Sequence, residues 1–144
     1  MPAAATIINA GFICAKLGDN LLVPFGTVNP TLPDWEDDIR RCHESFHMPG
    51  IRLHPGYHGY KLDDPRFTRI LELATARGLI VQLVTWMEDE RHFLLSPSTT
   101  SLDLKPLADK AAAFREVKLL VSGSDGANVA KTLGRLPRQK QIYF

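Results

Sequence analysis

Apolar residues gather in five short runs along the chain, with polar or proline-rich punctuation between them. The first, residues 21–28, closes on Asn29-Pro30-Thr31-Leu32-Pro33, where two prolines forbid a strand from continuing. Residues 50–55, 79–85 and 117–122 are further runs of strand length, that at 79–85 rich in β-branched residues, and residues 141–144 open a fifth. Their first residues, 21, 50, 79, 117 and 141, are separated by 29, 29, 38 and 24 positions, which are the periods of βα units.

Helical patterns fill the gaps. Asp64 stands where it can cap a helix starting at Pro65, with Phe67, Ile70, Leu71 and Ala74 on one face and Gly78 placed as a left-handed terminator. Between Pro33 and His47, Asp34, Glu36, Asp37 and Asp38 crowd the first turn and Arg40 and Arg41 follow, as a helix dipole prefers; Trp35, Ile39, Cys42 and Phe46 form the apolar stripe. Asp103 precedes a third helix that turns Leu104, Leu107, Ala108, Ala111 and Ala112 inward. Residues 6–17 read as a helix weakened by Gly11, and Asp125 caps a short one running to Leu133.

Strict alternation of strand and helix predicts an α/β fold with a parallel sheet and right-handed crossovers, either an open doubly wound sheet or a TIM (β/α)8 barrel. At 144 residues the chain is one domain, 1–144, with room for four βα units and a strand stub, which by length alone favours the open sheet. No glycine-rich phosphate fingerprint follows any strand, so a Rossmann reading lacks its main support.

Charge narrows the partners. With 17 Lys and Arg against 16 Asp and Glu the net charge is +1 and no basic cluster stands out, which argues against nucleic acid. No apolar run approaches the roughly 18 residues a membrane span needs. The amino terminus lacks the positive charge of a secretory signal and two cysteines make no disulfide framework, so a cytoplasmic setting is expected.

In a parallel βα array, reactive side chains sit at the carboxyl ends of strands. The segment His54-Pro55-Gly56-Tyr57-His58-Gly59-Tyr60-Lys61, after the second run, is the richest such loop. Its imidazoles can move protons or ligate a metal and its tyrosines can orient a substrate, although a tightly packed aromatic loop explains it equally well. After the third run, Trp86-Met87-Glu88-Asp89-Glu90-Arg91-His92 offers Glu88, Asp89 and Arg91 to a substrate, against the blander reading of a solvated helix start. Ser122-Gly123-Ser124-Asp125-Gly126 is a weak anion-binding turn. His43 and His47, four apart on the predicted helix, lack the intervening glutamate of a zinc-protease pair and read as surface residues; Cys14 and Cys42 read as buried thiols.

Taken together, Phe25-Gly26-Thr27-Val28-Asn29-Pro30, Gly50-Ile51-Arg52-Leu53-His54-Pro55, Tyr57-His58-Gly59-Tyr60, Asp63-Asp64-Pro65-Arg66-Phe67 and Met87-Glu88-Asp89-Glu90-Arg91 resemble the middle of an amidohydrolase-related (amidohydrolase 2) protein. The resemblance implies a partial TIM barrel and a hydrolase for which a divalent metal, zinc or manganese, activates water or polarises a small-molecule substrate. It places the five runs as the third to sixth strands and the start of the seventh, an interior portion of a barrel. The family's metal is held by a His-x-His or Glu-x-His pair after the first strand, histidines at the fifth and often the sixth, and an aspartate at the eighth. Here the fifth reads Gln82-Leu83-Val84-Thr85-Trp86 and the sixth Val121-Ser122-Gly123, so none of those ligands transfers. What transfers is the fourth-strand pair, Arg52 and His54, as catalytic residues, with Tyr57, His58, Tyr60, Glu88, Asp89 and Arg91 as substrate-binding candidates.

Three expectations follow. Arg52 and His54 face the inside of the barrel while Ile51 and Leu53 face helices. Glu88 or Asp89 neutralises an otherwise buried Arg52 guanidinium. Uncovered parallel edges and the apolar ending Ile142-Tyr143-Phe144 favour a homo-oligomer. The alternative to a hydrolase is a noncatalytic or vestigial barrel fragment that binds a ligand or partner.

Overall fold

A computed structural model describes residues 22–85, 102–123 and 142–143. In chain order these form β1 (Gly26–Thr27), α1 (Trp35–Glu44), β2 (Gly50–Leu53), α2 (Pro55–His58), α3 (Pro65–Arg77), β3 (Ile80–Val84), α4 (Lys105–Ala113), β4 (Leu119–Ser122) and β5 (Ile142–Tyr143). The strands lie side by side in sequence order, every neighbouring pair parallel. This is the arrangement of consecutive barrel strands, so the fold is a partial TIM barrel and not the doubly wound sheet that length alone suggested. The helices expected at 6–17 and 125–133, and the side chain of Cys14, lie outside the described residues.

Alternation along the strands sorts their side chains. Ile51, Leu53, Val81, Leu83, Leu119 and Val121 are at most 2% exposed and share one core with Ile39 of α1, Phe67, Ile70 and Leu71 of α3 and Leu107 of α4. The opposite row, in register across all five strands, is Thr27, Arg52, Gln82, Leu120 and Tyr143, every member partly or fully exposed. The described helices therefore cover one face of the sheet and leave the other open.

Local chemistry explains the helices. Asp64 Oδ1 accepts from the Arg66 N–H at 2.8 Å, Pro65 occupies the first turn where its missing N–H costs nothing, and Gly78 ends α3 at φ 64°, a conformation open to glycine. Three acids, Glu36, Asp37 and Asp38, fill the first turn of α1. Asp38 is almost wholly buried, and desolvation pushes its carboxyl upward despite the nearby Arg41. Asp103 contributes to α4 by accepting from the Lys105 N–H at 3.1 Å, but Leu104 is the capping residue and Ala112, expected inside, is exposed.

Two expected elements are altered. The first strand, expected over residues 21–28, keeps only Gly26 and Thr27; Leu22 and Val23 are 54% and 62% exposed, and Pro24 has no N–H to donate to a ladder. His43 and His47 do not share a helix, because α1 ends at Glu44 and His47 adopts φ 51°. Their metal pairing on one helical face is thereby lost.

Gly50 and Gly26 each make a close approach. A Cβ on Gly50 would run into the Phe25 ring and sit 2.6 Å from the Ile80 carbonyl oxygen; one on Gly26 would meet the Cys42 thiol. Gly50→Ala should therefore destabilise the fold by about 1–3 kcal/mol, measured by chemical denaturation. Truncating Phe25 in the same chain should restore only part of the loss, because the obstructing carbonyl is backbone.

Candidate functional site

The site lies where β2 runs out. Arg52 is the last open-face residue within the strand, and Leu53 turns back into the core. His54 leaves the ladder at φ −126° and ψ 71° to become the residue preceding α2, and the His58 N–H donates to the His54 carbonyl at 2.9 Å, closing a single helical turn. Pro55 is suited to the start of that turn, and Gly59, at φ 70°, ends it. The segment read from sequence as a loop is thus a one-turn helix that lifts His54 and His58 to one end of the sheet.

Arg52 stands on the side of the sheet away from the helices, with Ile51 and Leu53 fully buried beneath it, as the alternation requires. It is exposed, however. The guanidinium is therefore solvated rather than buried as expected, and the acids expected to neutralise it lie outside the described residues. No ion pair holds Arg52 among the described residues; Glu88, Asp89 and Arg91 lie outside them.

His54 is only 9% exposed, one of two polar or charged residues buried among those described. Its Nδ1 has no hydrogen-bond partner, and neither has Nδ1 of His58 or the phenol oxygen of Tyr60. These are all the buried side-chain polar atoms without partners among the described residues, and they fall within seven consecutive positions. Burial without a hydrogen bond costs roughly 1–3 kcal/mol per group, so such a concentration marks a place where stability yields to another requirement.

The imidazole rings of His54 and His58 meet edge to face, with centroids 5.9 Å apart, and Tyr57 sits 5.6 Å beyond His58. Tyr57 is 79% exposed, whereas Tyr60 packs into the core and borders a cavity of about 400 Å³ between α2 and the start of α4. The four aromatic candidates thus separate: His54 and His58 belong together, Tyr57 flanks them in solvent, and Tyr60 faces the core. Burial, aided by the Arg52 charge and by His58, holds the His54 imidazole down to about 4; burial alone lowers His58, and burial with the Asp64 charge raises Tyr60 against the opposing Arg66. Cys42, pushed up to about 11 by burial, is the inert thiol expected.

Sequence reasoning missed Arg52's neighbours. Thr27 and Gln82 flank it in register, and Tyr143 lies further along the same row. A lone amide inside the apolar run Ile80-Val81-Gln82-Leu83-Val84 was the available signal, since a residue of that kind belongs on a wet face.

A parallel run of βα units with one face open among the described residues and a polar cluster at the carboxyl end of β2 is a segment of a βα barrel. The chain belongs to the amidohydrolase family, whose pattern matches residues 12–132. Among solved structures, an uncharacterized TIM-barrel protein, Bb4693 from Bordetella bronchiseptica, superposes with a TM-score of 0.73 at 14% identity, over 94% of this chain and 47% of that one. The 2,6-dihydroxybenzoate decarboxylase from Rhizobium (TM-score 0.60, 11% identity) and the 5-carboxyvanillate decarboxylase from Sphingomonas paucimobilis (TM-score 0.57, 16% identity) each match 82% of this chain, and 43% and 42% of their own lengths. The chain thus spans a little under half the length of these structures. No curated protein matches the sequence.

Members of the family commonly bind a divalent metal. The described residues do not fit such an ion as the family holds it: Val84-Thr85 and Ser122-Gly123 occupy the ends of β3 and β4, and no group of three or more His, Cys, Asp or Glu side chains converges. No described helix is long and apolar enough to cross a membrane.

The buried imidazole makes stability pH-dependent in a defined direction. Between the ordinary value of 6.5 and the folded value of about 4, the unfolded chain binds a proton that folded His54 refuses. Stability is therefore complete above pH 6.5 and falls by up to about 3 kcal/mol on acidification to pH 4. Denaturation midpoints across this range, in chelator-treated buffer, should show the slope in the native chain and a shallower one in His54→Asn.

Proposed function

We propose that this chain carries part of the substrate site of an amidohydrolase-type hydrolase acting on a small carboxylated or amide-bearing molecule, with the barrel completed by a second copy of the chain or by further βα units. The observation supporting this reading is the coincidence of the unpartnered His54 and His58 imidazoles with the Arg52 guanidinium at the carboxyl end of β2. Arg52 binds the substrate's anionic group, since a guanidinium matches a carboxylate in charge and shape. His54, neutral at physiological pH, accepts a proton or orients the substrate as a hydrogen-bonding base. Tyr57 and His58 border the substrate, and Glu88, Asp89 and Arg91 join on sequence grounds, whereas Tyr60 faces the core. The two named decarboxylases act on aromatic carboxylates, which agrees with an anion at Arg52.

A noncatalytic fragment that binds a ligand or partner is the second reading, favoured by the absence of histidine at the ends of β3 and β4. The two separate in an assay of small amides, lactones and aromatic carboxylates with zinc or manganese supplied. Turnover that falls about 10- to 100-fold in Arg52→Met supports the hydrolase, the loss corresponding to one charge-assisted hydrogen bond. Saturable binding without turnover supports the fragment, and neither outcome in any compound class refutes both. The open face also calls for a cover, so sedimentation at tens of micromolar should show dimers; a monomer at every concentration would contradict completion by a second copy.

A further inference from the structure

The geometry points to a two-histidine site for a borderline divalent metal ion, zinc being the representative, formed by His54 and His58 at the carboxyl end of β2 and separate from the positions at which the family holds its metal. Two imidazoles bound to one ion at about 2.0–2.1 Å place their ring centres roughly 5–6.5 Å apart, depending on the angle at the metal. The observed separation is 5.9 Å. Each ring also carries a buried nitrogen with no hydrogen-bond partner, the condition of a ligand without its ion and an unfavourable one for a merely packed histidine.

The backbone fixes the pair before any ion arrives. The His58 N–H to His54 carbonyl bond closes one turn between the residues, and across it the two rings meet edge to face. His54 is anchored by burial, and His58 is half-buried beside exposed Tyr57. Imidazole suits zinc, copper and nickel and leaves magnesium or calcium poorly served. Two protein ligands leave the remaining coordination positions to water or to an anionic ligand. The Arg52 charge, which also bears on His54, opposes a cation here, and an anionic ligand at the open coordination positions offsets it.

The inference does not rest on hydrolase activity, and its test involves no substrate. Calorimetric titration of the chelator-treated full chain with zinc should show one ion per chain. Imidazole nitrogen resonances of both His54 and His58 should move on saturation. His58→Asn, whose far-UV spectrum and melting temperature establish that it is folded, should bind at least about tenfold more weakly, and His43→Asn should bind as the native chain does. Failure of the native chain to bind zinc, or unchanged affinity in folded His58→Asn, would overturn the site. Loss of affinity in His43→Asn with none in His58→Asn would do so as well, by placing the ion at the opposite end of the sheet.

Discussion

A parallel sheet needs apolar cover or polar purpose on each of its faces, and the described helices cover one face of this one only. Everything else about the chain follows from that asymmetry. On the helix side the strand residues are wholly apolar and almost completely buried with Phe67, Ile70, Leu71 and Leu107, so folding is driven from there. On the other side stands the row Thr27, Arg52, Gln82, Leu120 and Tyr143, a mixture no dry core would tolerate and one suited to the wet interior of an enzyme barrel.

His54 sits at the boundary between these regimes. Leu53 belongs to the core and Arg52 to the open face, and His54 follows them out of the strand into a position with too little water to charge its ring and no protein partner for Nδ1. A leucine there would be less costly to bury. The chain accepts the imidazole in a turn whose ends are otherwise well made, with proline at its start and a left-handed glycine at its close. Careful local construction around an unsatisfied polar group is the pattern of a binding site, where strain is retained and compensated nearby.

Most of this architecture was legible in the sequence because it depends on short-range rules. Asp64-Pro65 and Gly78 fix the ends of α3 without reference to anything distant, and the apolar runs at 50, 79 and 117 locate β2, β3 and β4 to within two residues. The first strand was overestimated because an apolar composition does not supply hydrogen-bond partners, and Pro24 interrupts the ladder that residues 22–25 would need. The pairing of Arg52 with Thr27 and Gln82 depends on register between strands far apart in sequence, which no local pattern encodes. The exposure of Arg52 was misjudged for a related reason. In a closed barrel that position is interior, whereas here the described elements leave it facing solvent.

Whether the open face is the lining of a barrel is settled most directly by cysteine labelling at Gln82 and Val81, neighbours on the central strand that face opposite ways. In a chain whose two native cysteines are replaced by alanine, Gln82→Cys should react readily with a polar maleimide when dilute and become protected as concentration drives assembly. Val81→Cys should be protected throughout. A cysteine at position 82 that stays equally reactive at every concentration while the chain self-associates, or one at 81 that reacts in the folded chain, would contradict the assignment of this face as a barrel interior closed by a second copy.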